Sequence, residues 1–224
     1  QRTRGRLIVF EGVEGAGKST QLQRLGGHLA RAGVAYRTFR EPGGTPLGDS
    51  IRALLLDPLS TISARAEALL FMASRAQLVA LELKPALEAG TTVLLDRFFL
   101  STYAYQIAGR GLSESDVRSA NVMATHGLAP DLTLLLTLPA DVGLARAGRR
   151  SGPDRIERSG PDFHARVEAA FAEFATRDWQ RAHEECGPIV GLDAGGAEDA
   201  VEALVLDAVT SRFHELRLAL GAIA

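Results

Sequence analysis

The residues with the most specific chemistry lie near the start of the chain, where glycines, a lysine and a serine are closely spaced. Residues 12–19 have the sequence GVEGAGKS, which matches the P-loop pattern G-x-x-x-x-G-K-S. The glycines let the backbone turn with its N–H groups pointing inward, so that phosphate oxygens find donors without side chains. The pattern predicts a nucleotide-phosphate site in which Lys18 neutralises β- and γ-phosphate charge and Ser19 offers Mg²⁺ a hydroxyl.

Two other local structures could carry similar residues. A glycine-rich strand-to-helix turn could hold a lysine by chance, but an apolar run at residues 7–10 and a helical pattern after Ser19 supply the full P-loop context. A dinucleotide-binding fingerprint would need a third glycine at position 20, which is Thr20. The P-loop is therefore the favoured interpretation.

A carboxylate and a guanidinium follow each other at the end of another apolar run, residues 92–95. Asp96 occupies the position from which a second strand presents an acid to the Mg²⁺ of a P-loop site, directly or through water. A plain cap is the competing interpretation of such an aspartate. Arg97 comes next, and a cation at the carboxyl end of a parallel sheet is well placed for a second phosphate group.

The P-loop alone does not separate a GTPase, an ATPase and a small-molecule kinase. A GTPase should carry an Asn-Lys-x-Asp segment, which this chain lacks, and we interpret the DAGG at residues 193–196 as a turn. A kinase needs a second anion site, a surface for a base and a cationic lid over the transferring phosphoryl group. Candidates for all three are present.

The elements that must position these residues alternate along the chain. Five apolar, β-prone runs are separated by segments of helical pattern, which predicts an α/β fold with a parallel sheet. The runs cover residues 7–10, 35–39, 92–95, 132–138 and 189–192. Helices are expected at residues 19–32, at 66–89 with a kink at Pro85, and at 197–220. Another is expected to begin at Ser113, where Ser113 and Asp116 form a capping-box pattern. A further helix is indicated by the apolar stripe Phe163, Val167, Phe171 and Phe174. Residues 146–160 are rich in arginine and glycine, which indicates a mobile loop.

Composition bounds the class of protein. The 224 residues and the 46% hydrophobic share suit one domain, residues 1–224, with a sizeable core. The net charge of −2 gives no support for broad binding of nucleic acid. The single cysteine, Cys186, and an N-terminus without a long apolar run favour the cytoplasm and no membrane. The five histidines have no metal-ligand spacing, and we assign them no role.

Seven short strings in this chain resemble those of bacterial thymidylate kinases, in order and spacing. They are FEGVEGAGKST at residues 10–20, REPGGT at 40–45, AEALLFMASR at 66–75, DR at 96–97, AYQ at 104–106, PDLT at 130–133 and DRIE at 154–157. The resemblance spans roughly residues 7–174. It implies a P-loop NTPase fold with a five-stranded parallel sheet flanked by helices and an arginine-rich lid at about 146–160. It also implies transfer of the γ-phosphoryl group of ATP to dTMP with Mg²⁺, giving dTDP and ADP, by a homodimer.

The resemblance also implies a role for each matching residue. ATP would be bound by Gly12, Val13, Glu14, Gly15, Ala16, Gly17, Lys18, Ser19 and Thr20. The acceptor dTMP would be bound by Glu14, Glu41, Arg52, Phe71, Arg75, Arg97, Ser101, Thr102, Tyr105 and Gln106. The catalytic groups would be Lys18, Arg97, Arg150 and Arg149, and the metal would be bound through Ser19 and Asp96.

Base recognition would fall to Phe71 and Arg75, which lie four residues apart on one helix face. The aromatic ring could stack on a pyrimidine while the guanidinium donates to a carbonyl of the base. From the residue types alone, a core phenylalanine and a solvated arginine would be favoured. Only the resemblance reverses that preference.

The acceptor's phosphate and sugar would meet a second set of residues. The resemblance places Arg97 and Arg52 on the 5′-phosphate, although a surface arginine at position 52 would need no function. Glu14, an awkward acid inside a phosphate loop, would face the 3′-hydroxyl. Glu41 would order the acceptor site or its metal, with plain turn chemistry as the alternative, and Tyr105 would clash with a ribose 2′-hydroxyl.

The P-loop itself contains no arginine, so charge for the transferring phosphoryl group must come from elsewhere. Arg146, Arg149 and Arg150 resemble the lid of the bacterial subclass, which closes over ATP and excludes water. We expect Arg150 to reach the γ-phosphoryl group, with Arg149 as the substitute and a solvated basic loop as the alternative. Rival functions are a kinase for dUMP, dCMP or AMP, and an ATPase or regulatory module with no acceptor.

Overall fold

The computed structural model describes residues 4–147 and 154–221, and its centre is one parallel sheet. The five strands are β1 (Leu7–Glu11), β2 (Tyr36–Arg40), β3 (Thr92–Asp96), β4 (Leu132–Thr137) and β5 (Ile189–Asp193). Their order across the sheet is β2-β3-β1-β4-β5, and every adjacent pair is parallel. The five strands expected from the apolar runs, and the α/β class, are confirmed.

The register of the sheet brings its chemical residues to one edge. Phe10 of β1 pairs with Asp96 of β3, so the loop after β1 and the Asp96–Arg97 pair leave the sheet side by side. Strands β1, β3 and β4 are buried almost throughout because helices cover both faces, as continuous apolar runs require in a parallel sheet. The carboxyl edge of the central strands is therefore where a ligand would be expected.

The helix after the P-loop is α1 (Lys18–Arg31), close to its expected bounds. Its apolar residues Leu22, Leu25 and Leu29 are all buried, and the helix contacts β1, β2 and β3. It ends before Gly33, whose φ of 67° suits the left-handed turn that terminates many helices. The first turn of α1 is thus anchored to the sheet beneath the phosphate loop.

The long helix expected at residues 66–89 is interrupted. Helix α2 (Pro46–Leu56) precedes α3 (Ala64–Leu78), which passes through a π-helical turn (Val79–Leu83) into α4 (Lys84–Glu88). The backbone N–H of Lys84 donates to the carbonyl of Val79, five residues back. Pro85 has no N–H and its ring crowds the preceding turn, so the backbone widens there into a π-helical turn.

The second half of the chain is mostly helical. Its elements are α5 (Phe99–Thr102), a π-helical segment (Tyr103–Gly109), α6 (Glu114–Thr125), α7 (Ala140–Ala147), α8 (Pro161–Phe174), α9 (Arg177–Ala182), a 3-10 turn (Glu184–Cys186), α10 (Glu198–Arg212) and α11 (His214–Gly221). The expected stripe of α8 is confirmed, since Phe163, Val167, Phe171 and Phe174 are all buried.

Two local expectations for these helices are wrong. The single terminal helix is broken at Phe213, which has an extended backbone and a buried side chain that packs into the core. The capping box at Ser113 does not form, because the Ser113 hydroxyl pairs with the Ser115 hydroxyl instead of the helix backbone. The break at Phe213 depends on distant packing, whereas the Ser113 hydroxyl is taken by a neighbour within the same local segment.

Candidate active site

The loop after β1 has the backbone geometry that its glycines make possible. Gly12 has a φ of 136° and Gly15 a φ of 71°, values that residues with a side chain rarely adopt. A Cβ atom on Gly15 would lie 2.0 Å from the carbonyl oxygen of Gly143, which belongs to helix α7. The loop is therefore closely packed on its outer side, and any larger residue at position 15 would force it to move.

Lys18 lies under this loop with its side chain almost fully buried. Its Nζ donates to the carbonyls of Gly12, at 3.1 Å, and Val13, at 2.8 Å. Burial, and after it the Arg97 guanidinium, lowers the pKa of Lys18 to about 8. The site thus holds a buried cation whose hydrogen-bond partners are neutral carbonyls, which is the electrostatic setting for a polyphosphate.

Ser19 and Asp96 meet at the mouth of the same pocket. The Ser19 hydroxyl donates to the Asp96 carboxylate over 2.6 Å, although the residues are 77 positions apart. Hydroxyl and carboxylate oxygens are hard donors that suit Mg²⁺, which usually keeps water and phosphate oxygens as its remaining ligands. The donor set fits the expected metal. Within residues 4–147 and 154–221, no group of three or more His, Cys, Asp or Glu residues could hold a metal by itself.

Arg97 lies beside the P-loop, and its backbone conformation is strained. Its φ of 72° is left-handed, which costs a non-glycine residue about 1–2 kcal/mol. The guanidinium is held by the Gly12 carbonyl at 3.2 Å, the Ser101 hydroxyl at 3.0 Å and the Glu14 carboxylate at 2.6 Å. In return, Arg97 holds the pKa of Glu14 at about 2, so this acid is ionised at neutral pH. The pair orients a guanidinium toward the space beside the P-loop.

A buried carboxylate that the sequence did not single out supports this arrangement. Glu11, at the end of β1, accepts hydrogen bonds from the backbone N–H groups of Phe98 and Ser101 and from the Ser101 hydroxyl. The Ser101 hydroxyl, in turn, accepts from Arg97. Glu11 therefore fixes the segment that carries Arg97. Only its place next to Gly12 could have drawn attention to it.

Two adjoining pockets surround Arg97. The pocket on the P-loop side is lined by Glu14, Gly15, Gly17, Lys18, Ser19, Arg40, Glu41, Arg52, Asp96 and Arg97. The second pocket contains all ten residues expected around the acceptor: Glu14, Glu41, Arg52, Phe71, Arg75, Arg97, Ser101, Thr102, Tyr105 and Gln106. The pockets share Glu14, Glu41, Arg52 and Arg97. Of the expected P-loop residues, Gly12, Val13, Ala16 and Thr20 lie in the loop or first helical turn without lining either pocket.

Arg75 is bound differently from the expectation of a donor free for a base. It is 2% exposed, and its Nε and Nη2 donate to Glu41 while Nη1 donates to Thr102 and Asn121. Nη2 also donates to the carbonyl of Phe98 at 2.8 Å. These contacts engage all five N–H groups of the guanidinium. Arg75 is therefore neither solvated nor unpaired, and its donation to a base carbonyl stays a prediction.

The second pocket also has a wall that the sequence reasoning missed. Beyond the expected residues it is lined by Pro42, Leu56, Phe98, Asp154, Ile156, Glu157 and His164. Residues 154–157 are the DRIE string, which carried the family resemblance without receiving a role. His164, a histidine without metal-ligand spacing, belongs to the same lining, and its Nε2 lies 3.1 Å from the carbonyl of Glu157. The family string at 154–157 was the sequence signal that could have identified this wall.

Only part of the expected lid lies within the described residues. Arg149 and Arg150 lie outside the described residues. Arg146, at the end of α7, donates to the carbonyl of Ala194 over 3.3 Å. Residues 154–159 form a turn that is bonded to α2 and α3 through Arg155, and the mobility of the lid stays a prediction.

A phosphate loop on a parallel sheet, with an arginine-lined second pocket sharing its wall, defines the class of P-loop kinases that act on a small phosphorylated acceptor. Residues 10–184 match the family described as "Thymidylate kinase". The chain is 48% identical to the thymidylate kinase of Deinococcus radiodurans over 95% of this chain and 100% of that protein. It is 46% identical to the thymidylate kinase of Chromobacterium violaceum, over 91% and 93% of the two chains. This chain belongs to the thymidylate kinase family.

Proposed function

We propose that this chain is an ATP-dependent dTMP kinase, which transfers the γ-phosphoryl group of ATP to dTMP to give dTDP and ADP. The observation that carries the proposal is the shared wall between the two pockets, where Glu14 and Arg97 line both the pocket beside Lys18 and the pocket of Phe71. With one nucleotide bound in each pocket, the phosphate groups of the two nucleotides would face each other at Arg97. Family membership supplies the acceptor's identity.

The chemistry requires little from the acceptor itself. A 5′-phosphate is already ionised at neutral pH, so no general base is needed to activate its oxygen. The barrier comes mainly from bringing two anions together, and the protein lowers it by positioning and by compensating charge. Lys18 would act on the ATP side and Arg97 on both sides, with Arg52 on the acceptor phosphate. Arg150, or Arg149, would serve the γ-phosphoryl group from the lid at about 146–160.

The Ser19–Asp96 pair would hold Mg²⁺, with Asp96 acting directly or through water. The ion would supply charge neutralisation between the β- and γ-phosphates. Ser19 lies in the first turn of α1 and Asp96 at the end of β3, so the pair is fixed by rigid elements on both sides. Their 2.6 Å contact supports a common ligand position.

The nucleoside would lie deeper in the second pocket. Phe71 would stack on the thymine, while Ser101, Thr102 and Gln106 would contact base or deoxyribose. Tyr105 is positioned by a tilted ring contact with Phe163 and an edge-to-face contact with Phe171, and it lies against Arg97, which supports its role in excluding a ribose 2′-hydroxyl. Glu14 would face the 3′-hydroxyl. Glu41 would act indirectly, by orienting Arg75 through two hydrogen bonds.

A homodimer is supported by apolar residues exposed on three adjoining helices. They are Leu47 and Leu54 on α2, Leu69 on α3, and Val122 and Met123 on α6, with exposures from 49% to 77%. Helix α3 contacts both α2 and α6, so these residues lie on neighbouring elements. Exposed apolar patches of this kind mark interaction surfaces. We assign this surface to a second copy of the chain.

The remaining expectations complete the proposal. We propose that residues 1–224 form one domain that works in the cytoplasm without a nucleic-acid partner. In the parts of the chain that the structure describes, no helix combines the length and apolar character needed to cross a membrane.

ADP formation from ATP and Mg²⁺, measured with and without dTMP, tests the proposal directly. We expect turnover to depend on dTMP, and Arg97→Ala to lower kcat/KM for dTMP at least about a hundredfold because it removes the shared cation. Arg37→Ala is the matched control, since Arg37 lies on edge strand β2, outside both pockets.

The same assay separates the rival functions. ADP release at full rate without any monophosphate would indicate an ATPase. A clear preference for AMP, dCMP or dUMP over dTMP would assign a different acceptor. Unchanged dTMP dependence in Arg97→Ala would contradict the role given to the shared wall.

A further inference from the structure

Two of the strings that carried the family resemblance contain charged residues with no role in the site described so far. Glu67 belongs to the string at residues 66–75, and Arg155 belongs to the string at residues 154–157. The structure joins them. Arg155 Nη2 donates to Glu67 Oε2 over 2.7 Å, across 88 positions of the sequence, and both side chains are largely buried.

Glu67 is the centre of a larger cluster. It is 1% exposed, and besides Arg155 it accepts hydrogen bonds from Arg110, through Nε and Nη2, and from Gln106 Nε2 at 3.1 Å. Burial disfavours the ionised form, yet the bonds from Arg110 and Arg155 hold the pKa of Glu67 below its ordinary value. A single carboxylate thus connects α3 with the segment after α5 and with residues 154–159.

Arg155 is bound on two sides. Its Nε donates to the carbonyl of Leu55 at 2.7 Å, and its backbone N–H donates to the carbonyl of Leu56, so the last turn of α2 also holds it. Its neighbours Asp154, Ile156 and Glu157 line the second pocket, whereas Arg155 and Glu67 do not. Gln106, another partner of Glu67, lines the pocket from the π-helical segment (Tyr103–Gly109). The cluster therefore lies behind the pocket and holds two of its walls.

We propose that Glu67 and Arg155 are a positioning pair that fixes the wall formed by residues 154–157 at the acceptor pocket. This inference rests on the proposed function, since it concerns how firmly that pocket holds its nucleotide. Neither residue touches the nucleotide; they act through Asp154, Ile156, Glu157 and Gln106. Loss of the pair weakens acceptor binding and leaves the ATP side intact, because none of these residues lines the pocket beside Lys18.

Steady-state kinetics of Arg155→Gln provide the test. We expect KM for dTMP to rise about tenfold, while KM for ATP changes less than twofold and kcat falls less than threefold. Arg155→Lys keeps a charge for Glu67 but loses the fork that also reaches Leu55, so it should restore part of the lost affinity. Glu67→Gln combined with Arg155→Gln should raise KM little beyond the larger single effect, because the two act as a unit.

Arg110→Gln is the matched control. Arg110 makes two hydrogen bonds to Glu67 where Arg155 makes one, and it does not line the pocket. Its further side-chain hydrogen bond goes to the Ser159 hydroxyl at 3.2 Å, beyond the wall at 154–157. If the cluster only stabilises the fold, Arg110→Gln should have the larger effect on both melting temperature and KM. We expect the opposite order for KM: a larger increase for Arg155→Gln than for Arg110→Gln.

Two results would overturn the positioning role. The first is an unchanged dTMP KM in Arg155→Gln beside a lowered melting temperature. The second is an equal rise of both KM values. Failure of the wild-type chain to phosphorylate dTMP would instead overturn the proposed function, so the two failures are distinguishable.

Discussion

Lys18 is held where its own positive charge is disfavoured. Its nitrogen is buried, it lies near the Arg97 guanidinium, and its hydrogen-bond partners are neutral carbonyls. A pKa of about 8 means that a fraction of the protein carries a neutral Lys18 in mildly alkaline solution. Polyphosphate beside the nitrogen favours the charged form and raises the pKa.

ATP binding should therefore take up protons at Lys18. From a free-state pKa of about 8, we expect uptake of about half a proton per site at pH 8 and only about a tenth at pH 7. Uptake grows as the pH rises because more of the free protein starts from the neutral form. Titration calorimetry of MgATP in buffers with different ionisation enthalpies measures it.

Lys18→Arg is the control for this prediction. The guanidinium stays charged over the whole range, so proton uptake at pH 8 should vanish. Equal uptake in both proteins would assign the proton to another group.

The partners of individual side chains were the hardest part to predict. The positions of Lys18, Ser19 and Asp96 follow from a short local pattern and its strand context. The partners of Arg75 come from three distant segments, at Glu41, Thr102 and Asn121. Nothing in the spacing of Phe71 and Arg75 indicates those contacts, because they arise only when the helices pack.

At the scale of the elements, helix α2 has a cap that bears on the site, since Arg52 belongs to this helix. The Thr45 hydroxyl accepts from the backbone N–H of Gly48 at 3.0 Å, and Thr45 is buried. The corresponding cap of α3, Ser63, is exposed and its bond to Ala66 is 3.4 Å long. The two caps differ in both geometry and solvent screening.

Thr45→Ala should destabilise the protein by about 1 kcal/mol, and Ser63→Ala by roughly half of that or less. Denaturant unfolding of both variants beside the unmodified chain measures the difference. We also expect Thr45→Ala, and not Ser63→Ala, to raise KM for dTMP, because it loosens the start of the helix that carries Arg52. Equal unfolding energies for the two variants would contradict the argument.

The strands were predictable and the helix interruptions were not, for a physical reason. A strand buried on both faces needs an apolar run of a few residues, and that requirement is visible in the sequence itself. The break at Phe213 depends on what packs against it, whereas the π-helical turn follows from the missing N–H of Pro85, and only its form could not be predicted. Phe213 leaves the helix with its side chain in the core, an outcome decided by tertiary contacts.

At the scale of the whole molecule, the apolar surface of α2, α3 and α6 predicts the oligomeric state. Met123→Glu together with Leu69→Glu should convert a dimer to a monomer, because charges would be buried in the contact. Sedimentation velocity or light scattering at several concentrations measures this. Leu218→Glu is the matched control, since Leu218 is 63% exposed on α11 and should leave the dimer intact. A monomeric parent protein would contradict the assignment of this surface.

The way the two pockets meet could be anticipated only through the family strings. Residues 10–20, 40–45 and 96–97 are far apart in the chain, and the parallel register brings their ends to one edge of the sheet. The motif at 154–157 could be recognised in the sequence, but its position in the lining of the second pocket could not be predicted. Its position depends on Glu67 and on the end of α2, which no local pattern connects to it.

The saturated guanidinium of Arg75 has a consequence for selectivity among bases. An enzyme rejects a near-isostere strongly when the wrong ligand leaves a buried polar group without a partner. Here every N–H of Arg75 is already satisfied by the protein, so a pyrimidine lacking an oxygen at that point would strand no donor. With these partners kept when the nucleotide binds, discrimination at this end of the cleft rests on shape and stacking, and ring analogues that keep the outline of thymine should be accepted with only modest loss.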